Sequence, residues 1–85
     1  MFVISLGNQP QKFLKKLEKE TRLRIWEKLD ELKLNPFPFE VVRVVGKKGK
    51  AFRVRVGSYR IQYYVLHETK EIIVFDIDKR ERAYD

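Results

Sequence analysis

The chain has no cysteine, one histidine, four glycines and three prolines in 85 residues. Without cysteine there is no disulfide, no thiolate metal site and no cysteine nucleophile, and a reducing compartment suits the chain. The single histidine, His67, falls in an expected turn and has no second histidine with which to form an acid–base pair. With no cluster of histidine and carboxylate, neither a metal nor a cofactor is expected. No Ser/His/Asp arrangement is present. No apolar run is long enough to span a membrane. The opening Met1-Phe2-Val3-Ile4-Ser5-Leu6-Gly7 lacks the basic start and apolar core of a secretory signal, so a cytoplasmic location is expected. Gly46 and Gly49 lack the spacing and helical context of a phosphate-cradling loop, which leaves Gly46-Lys47-Lys48-Gly49-Lys50 as a basic turn.

Acidic residues are missing from one long stretch. Between Val41 and His67 stand seven basic residues (Arg43, Lys47, Lys48, Lys50, Arg53, Arg55 and Arg60) and no Asp or Glu. The other twelve basic residues balance the twelve acidic ones, so the whole net charge of +7 comes from this stretch. A localised excess of this kind points to a phosphate-bearing partner, nucleic acid above all.

Within that stretch, Phe52-Arg53-Val54-Arg55-Val56 and Tyr59-Arg60-Ile61-Gln62-Tyr63 alternate and flank Gly57-Ser58. The pattern predicts a β-hairpin with a type II′ turn, in which the first central residue has positive φ. In that register Arg55 faces Arg60, Arg53 faces Gln62 and Val54 faces Ile61. One face then carries Phe52, Val54, Val56, Tyr59, Ile61 and Tyr63, and the other Arg53, Arg55, Arg60 and Gln62. Like charges directly opposite each other on a sheet repel. A chain that sets Arg55 against Arg60 gives up stability, which implies an anion on that face.

The remainder reads as support. Phe2 to Leu6 is a short β-prone run. Asn8 is placed to cap a helix with Pro10 in its first turn, followed by Phe13, Leu14 and Leu17 at helical spacing. Thr21 marks a second N-cap or a break. Leu23, Trp26, Leu29 and Leu32, with Ile25 beside them, form an apolar stripe to about Leu34. The prolines in Asn35-Pro36-Phe37-Pro38-Phe39 stop that helix, and both phenylalanines are expected to pack the loop on the core. Val41 to Val45 is a short β-like run, His67 to Glu71 a solvated turn, and Ile72 to Ile77 a last strand. Asp76 and Asp78 would orient neighbouring arginines. The expected fold is one α+β domain over 1–85, an N-terminal strand and αα-hairpin packed on an antiparallel β-sheet in the order β-α-α-β-β-β.

An arginine-rich sheet face can promote RNA cleavage without a protein nucleophile. RNA carries its own 2′-OH, and preorganised cations stabilise the charge that builds on the phosphorane. The run from Phe52 to Tyr63, then a strand and Lys79-Arg80-Glu81-Arg82-Ala83-Tyr84, resembles the RelE family of toxins from type II toxin–antitoxin systems. The family pattern is roughly Y/F-R/K-x-R/K-x-G-x-Y-R-x-x-Y, a strand, and an H/K-R-x-x-x-Y tail. The resemblance implies a ribosome-dependent endoribonuclease that cuts mRNA in the ribosomal A site by 2′-OH attack on the adjacent phosphate. It also implies a RelB-like antitoxin whose helical segments wrap the toxin in a higher-order heteromer.

Carried over by position, Arg60 holds the scissile phosphate, Arg80 stabilises the transition state, and Tyr84 stacks on a base or acts as general base. Arg53 and Arg55 surround the phosphate, with Lys48, Lys50 and Gln62 completing the RNA-binding face. Arginine at 53 and 55, where the family also uses lysine, stays charged and donates no proton, so the resemblance identifies no general acid. Two other readings stand beside this one. The first is a ParE-like gyrase inhibitor or inactive relative that binds without cutting RNA. The second is a basic domain that binds nucleic acid unspecifically.

Overall fold

Two helices pack on one face of a five-stranded sheet. The computed structural model describes residues 1–44 and 51–79. Lys48, Lys50, Arg80 and Tyr84 therefore lie outside the described residues, as do most of the basic turn and the tail. The elements are β1 (Val3–Leu6), α1 (Asn8–Lys16), α2 (Lys19–Leu34), β2 (Val42–Arg43), β3 (Ala51–Val56), β4 (Tyr59–Leu66) and β5 (Glu71–Lys79). The sheet runs β1-β5-β4-β3-β2. Its last four strands are antiparallel, as expected, and β1 joins the edge parallel to β5, so the sheet is mixed. The β-like run after the proline loop adds β2, one strand more than the expected order.

The central hairpin pairs as read from alternation: Arg55 faces Arg60, Arg53 faces Gln62, and Val54 faces Ile61. Gly57 has φ 59° while Ser58 does not have positive φ, as a type II′ turn requires. Val54, Ile61, Tyr63, Val65, Ile72, Val74 and Ile77 meet Leu14, Ile25, Leu29 and Leu32 of the helices in one buried cluster.

Three local expectations change. Gly7, rather than Asn8, is the N-cap of α1. The Gly7 N–H donates to Val74 O at 2.9 Å and its carbonyl accepts from Gln11 N at 3.2 Å, so pairing with β5 decides where the helix starts. The break between helices falls at Leu17 and Glu18, and Glu18 is the N-cap of α2. Thr21 sits one turn later and donates to the Glu18 carboxylate at 3.3 Å. On α2 the buried stripe is Ile25, Leu29 and Leu32, whereas Leu23 and Trp26 are exposed.

The proline loop is tied down by polar contacts as much as by its rings. The Tyr63 hydroxyl donates to Pro36 O at 2.6 Å inside the core, and Lys28 reaches Glu40 at 2.8 Å and Glu31 at 3.1 Å. That pairing holds the Glu40 carboxyl below its usual range, chiefly through its hydrogen bond with Lys28. Phe37 packs edge-on to Phe52 and stacks on His67 with centroids 5.7 Å apart, so His67 is an exposed turn residue engaged with rings. Phe39, expected on the core, is fully exposed.

β5 carries the main irregularity. Gln62 pairs with Asp76 but Tyr63 pairs with Val74, so Phe75 is an extra residue at a β-bulge. The bulge lets Ile72, Val74 and Ile77 all reach the core although their spacing breaks strict alternation. It also leaves Phe75 and Asp76 together on the opposite face.

Candidate functional site

The site is built on the sheet face opposite the helices, where β3, β4 and β5 lay their polar residues in rows. One row runs Arg55, Arg60 and Asp78, and the next runs Arg53, Gln62 and Asp76. Three arginines thus stand on adjacent strands over a small area, held by a hairpin whose backbone is fixed at Gly57.

Arg53, Arg55 and Arg60 form no ion pair with a described carboxylate; the ion pairs among the described residues lie on α2 and the proline loop. Asp76 and Asp78, expected to orient neighbouring arginines, form no ion pair with Arg53, Arg55 or Arg60; Arg80, which follows them on the strand, lies outside the described residues. Asp76 Oδ2 accepts from Gln62 Nε2 at 3.1 Å, and Asp78 Oδ1 accepts from Lys79 N at 2.7 Å. The Nε of Arg60 is buried and has no acceptor among the described residues. A buried donor left unmade costs about 1–3 kcal/mol. Like charges at opposed sheet positions repel, by about 0.7 kcal/mol at a separation of ~6 Å in water and by more where solvent is excluded. An oxyanion arriving over the row relieves the repulsion between the two arginines. Guanidinium offers a planar fork of donors matched to phosphate oxygens.

Of the sequence-derived site residues, the sheet brings Arg53, Arg55, Arg60 and Gln62 onto one face. Arg55 is exposed and Arg53 and Arg60 are half-buried. Gln62 is nearly covered, at 8% exposure, with its amide engaged by Asp76. Arg80, Tyr84, Lys48 and Lys50 lie outside the described residues. One feature of this face escaped the sequence reading: Tyr64 and Phe75 lie against each other with ring centroids 4.5 Å apart and planes tilted by 31°. The alternation of Arg60, Gln62 and Tyr64 already puts Tyr64 on this face. Phe75 joins it only because of the bulge.

A second surface lies on the other side of the molecule. Ile4 and Leu6 of β1, Leu14 and Lys15 of α1, and Arg22 and Trp26 of α2 line a groove of about 570 Å³ with apolar walls and a basic rim. Among the described residues, no helix is long and apolar enough to cross a membrane.

The family model described as ParE toxin of type II toxin–antitoxin system, parDE, matches residues 4–84. The RelE1 protein of Methanocaldococcus jannaschii is 35% identical over 86 residues, covering 98% of this chain and 94% of that one. The archaeal RelE–RelB complex of Pyrococcus horikoshii OT3 contains a chain that superposes with a TM-score of 0.83 at 29% identity, over 95% of this chain and 97% of the other. The intact Escherichia coli RelBE toxin–antitoxin complex shares the fold, with a TM-score of 0.78 at 20% identity over 93% of this chain and 96% of that chain.

Proposed function

This chain belongs to the RelE/ParE superfamily of toxins from type II toxin–antitoxin systems, and from that premise we propose that it is an mRNA endoribonuclease acting in the ribosomal A site. The observation that carries the proposal is the Arg55–Arg60 pair: two arginines at opposed positions of a rigid sheet, neither in an ion pair with a described carboxylate, with Asp78 across from Arg60 turned to the backbone N–H of Lys79. In this reading Arg60 grips the scissile phosphate, and Arg53 and Arg55 hold its non-bridging oxygens. The RNA supplies the nucleophile, its own 2′-OH. Attack on the adjacent phosphorus places negative charge on the equatorial oxygens, where fixed cations lower the barrier without reorganising. The bond to the 5′-oxygen breaks, that oxygen leaves as a hydroxyl by taking a proton from solvent, and a 2′,3′-cyclic phosphate remains. Arg80 is assigned to the same charge, and Tyr84 to the base or to proton removal. Lys48, Lys50 and Gln62 are assigned to holding the strand.

The partner follows from the family. RelE chains of the relatives are found in complex with RelB, which supports a RelB-like antitoxin here, acting in the cytoplasm in a higher-order heteromer. The apolar groove between β1, α1 and α2, with Lys15 and Arg22 on its rim, suits an acidic amphipathic segment.

The test is expression of Arg60→Ala combined with Arg80→Ala. Translation-dependent mRNA cleavage disappears while far-UV circular dichroism and thermal unfolding stay native; retained cutting rejects the assignment. Because the matching family model carries the ParE description, the same cells are assayed for DNA damage. Damage signals without mRNA loss identify a gyrase poison instead.

A further inference from the structure

Half of the open sheet face is occupied by something other than arginines. Tyr64 continues the row Arg60, Gln62, Tyr64 along β4, and Phe75 of β5 supports its ring at 4.5 Å. Both rings are half-buried on the face away from the helices. We propose that Tyr64, backed by Phe75, is a stacking seat for a base of single-stranded RNA, the base of a nucleotide neighbouring the one whose phosphate Arg60 holds. The inference rests on the reading that the arginine face binds RNA.

Three physical points support it. Tyr64 stands four residues from Arg60 on one strand, about 13 Å along β4 at the usual rise. A ring at that distance meets the next part of an extended chain and leaves the scissile nucleotide to Arg60. Sheet faces that read single-stranded RNA combine cations for the backbone with aromatic faces for bases, because every base has a π-face and unstacked bases are free to lie flat. Arg53 stands across from Gln62, between the two subsites, where it can contact the backbone joining them. The Tyr64 ring already rests on Phe75, so it loses little further freedom on stacking.

The same half of the face also carries Ile73, Leu66 and Val3. A protein segment is therefore the competing occupant. The neighbouring arginines favour RNA.

The probe is a single-stranded RNA oligonucleotide, 2′-O-methylated so that it resists cleavage, with 2-aminopurine placed at successive positions. With the full chain, 2-aminopurine fluorescence is quenched at one position flanking the arginine site. Tyr64→Phe keeps the quenching. Tyr64→Leu preserves apolar bulk but removes the ring; it abolishes quenching and weakens binding about five- to hundred-fold, matching one lost base stack. Thermal unfolding of each variant confirms that the fold is intact, and Tyr64→Thr, which also removes the ring and suits a strand, serves where Tyr64→Leu does not fold. Wild-type affinity and quenching in Tyr64→Leu overturn the seat. If Tyr64→Leu instead weakens only the binding of an antitoxin peptide, the occupant is protein and the seat is again rejected. Arg60→Ala separates the two levels: Arg60-dependent binding without dependence on Tyr64 rejects the seat alone, and absence of any Arg60-dependent binding rejects the RNA reading with it.

Discussion

The side-chain amide of Gln9 clamps the backbone of Ile77. Its Nε2 donates to Ile77 O at 2.8 Å, and Ile77 N donates to its Oε1 at 3.0 Å. β1 ends at Leu6, paired with Val74, while β5 runs on to Lys79. Beyond Val74 the outer edge of β5 has lost its strand neighbour, and one glutamine at the start of α1 supplies the donor and acceptor that the missing residue would have given. The clamp fixes the strand that places Asp76 and Asp78 beside the arginines.

Replacing Gln9 by Ala leaves an N–H and a C=O of a half-covered strand without partners. The expected loss is about 1–3 kcal/mol, or roughly 4–8 °C in melting temperature for each kcal/mol in a domain of this size. Amide exchange at Ile77 accelerates more than exchange at Ile61. Gln9→Glu keeps the acceptor but sets a carboxylate against the Ile77 carbonyl, and is destabilising as well. A melting temperature within a degree of wild type for both variants would contradict the clamp's role.

Arg55→Gln separates stability from binding. Removing one of two opposed charges raises stability by about 0.2–1 kcal/mol, the scale of cross-strand pairs. The same change removes one phosphate contact, so the slope of log affinity for single-stranded RNA against log salt falls by about 0.7. Chemical denaturation and salt-dependent binding are measured on one preparation. A destabilised Arg55→Gln would mean that the arginine pair is no liability.

Tyr63→Phe deletes the hydroxyl that satisfies Pro36 O, at an expected cost of about 1–2 kcal/mol. Burial, with the Glu40 charge adding to it, pushes the Tyr63 phenol well above its ordinary range. The unfolded chain releases that proton near pH ~10 while the folded chain retains it. The tyrosine's contribution is therefore complete below that pH and declines as pH rises further. Wild-type stability falls more steeply in alkali than that of Tyr63→Phe. Parallel curves above pH ~10 would sink this account.

Gly57→Ala tests the hairpin. With φ at 59°, any Cβ is strained, although the nearest group it would meet is Arg24 Nη2 at 3.8 Å. The loss is about 1–2 kcal/mol, and it arises in the backbone alone. Gly57→Asn, better tolerated in left-handed backbone, loses less than Gly57→Ala. Equal melting temperatures for Gly57→Ala and wild type would show that the turn relaxes.

The hairpin was legible because its information is local. Alternation with a period of two and a Gly-Ser turn fix both its register and the face that carries Arg53, Arg55 and Arg60. Helix boundaries were less so. Gly7 displaced Asn8 as N-cap because a hydrogen bond to Val74, far along the chain, held its backbone first. The stripe on α2 was ambiguous for a similar reason: Leu23 and Trp26 satisfy helical spacing as well as Ile25 does, and only the direction in which the sheet lies selects the buried set.

The bulge was not visible at all. In Ile72-Ile73-Val74-Phe75-Asp76-Ile77 the apolar residues suit either face, and a one-residue slip leaves no mark in composition. The Tyr64–Phe75 pair, the Gln9 clamp and the parallel placement of β1 depend on residues distant in sequence meeting in space. What the sequence by itself determined is the charged hairpin, its turn and the order of helices and strands, because propensity, alternation and charge act between near neighbours. What only the tertiary structure decided is which apolar stripe is covered, where β5 breaks its phase and which groups cap its edge, because burial and pairing are properties of the partner an element meets.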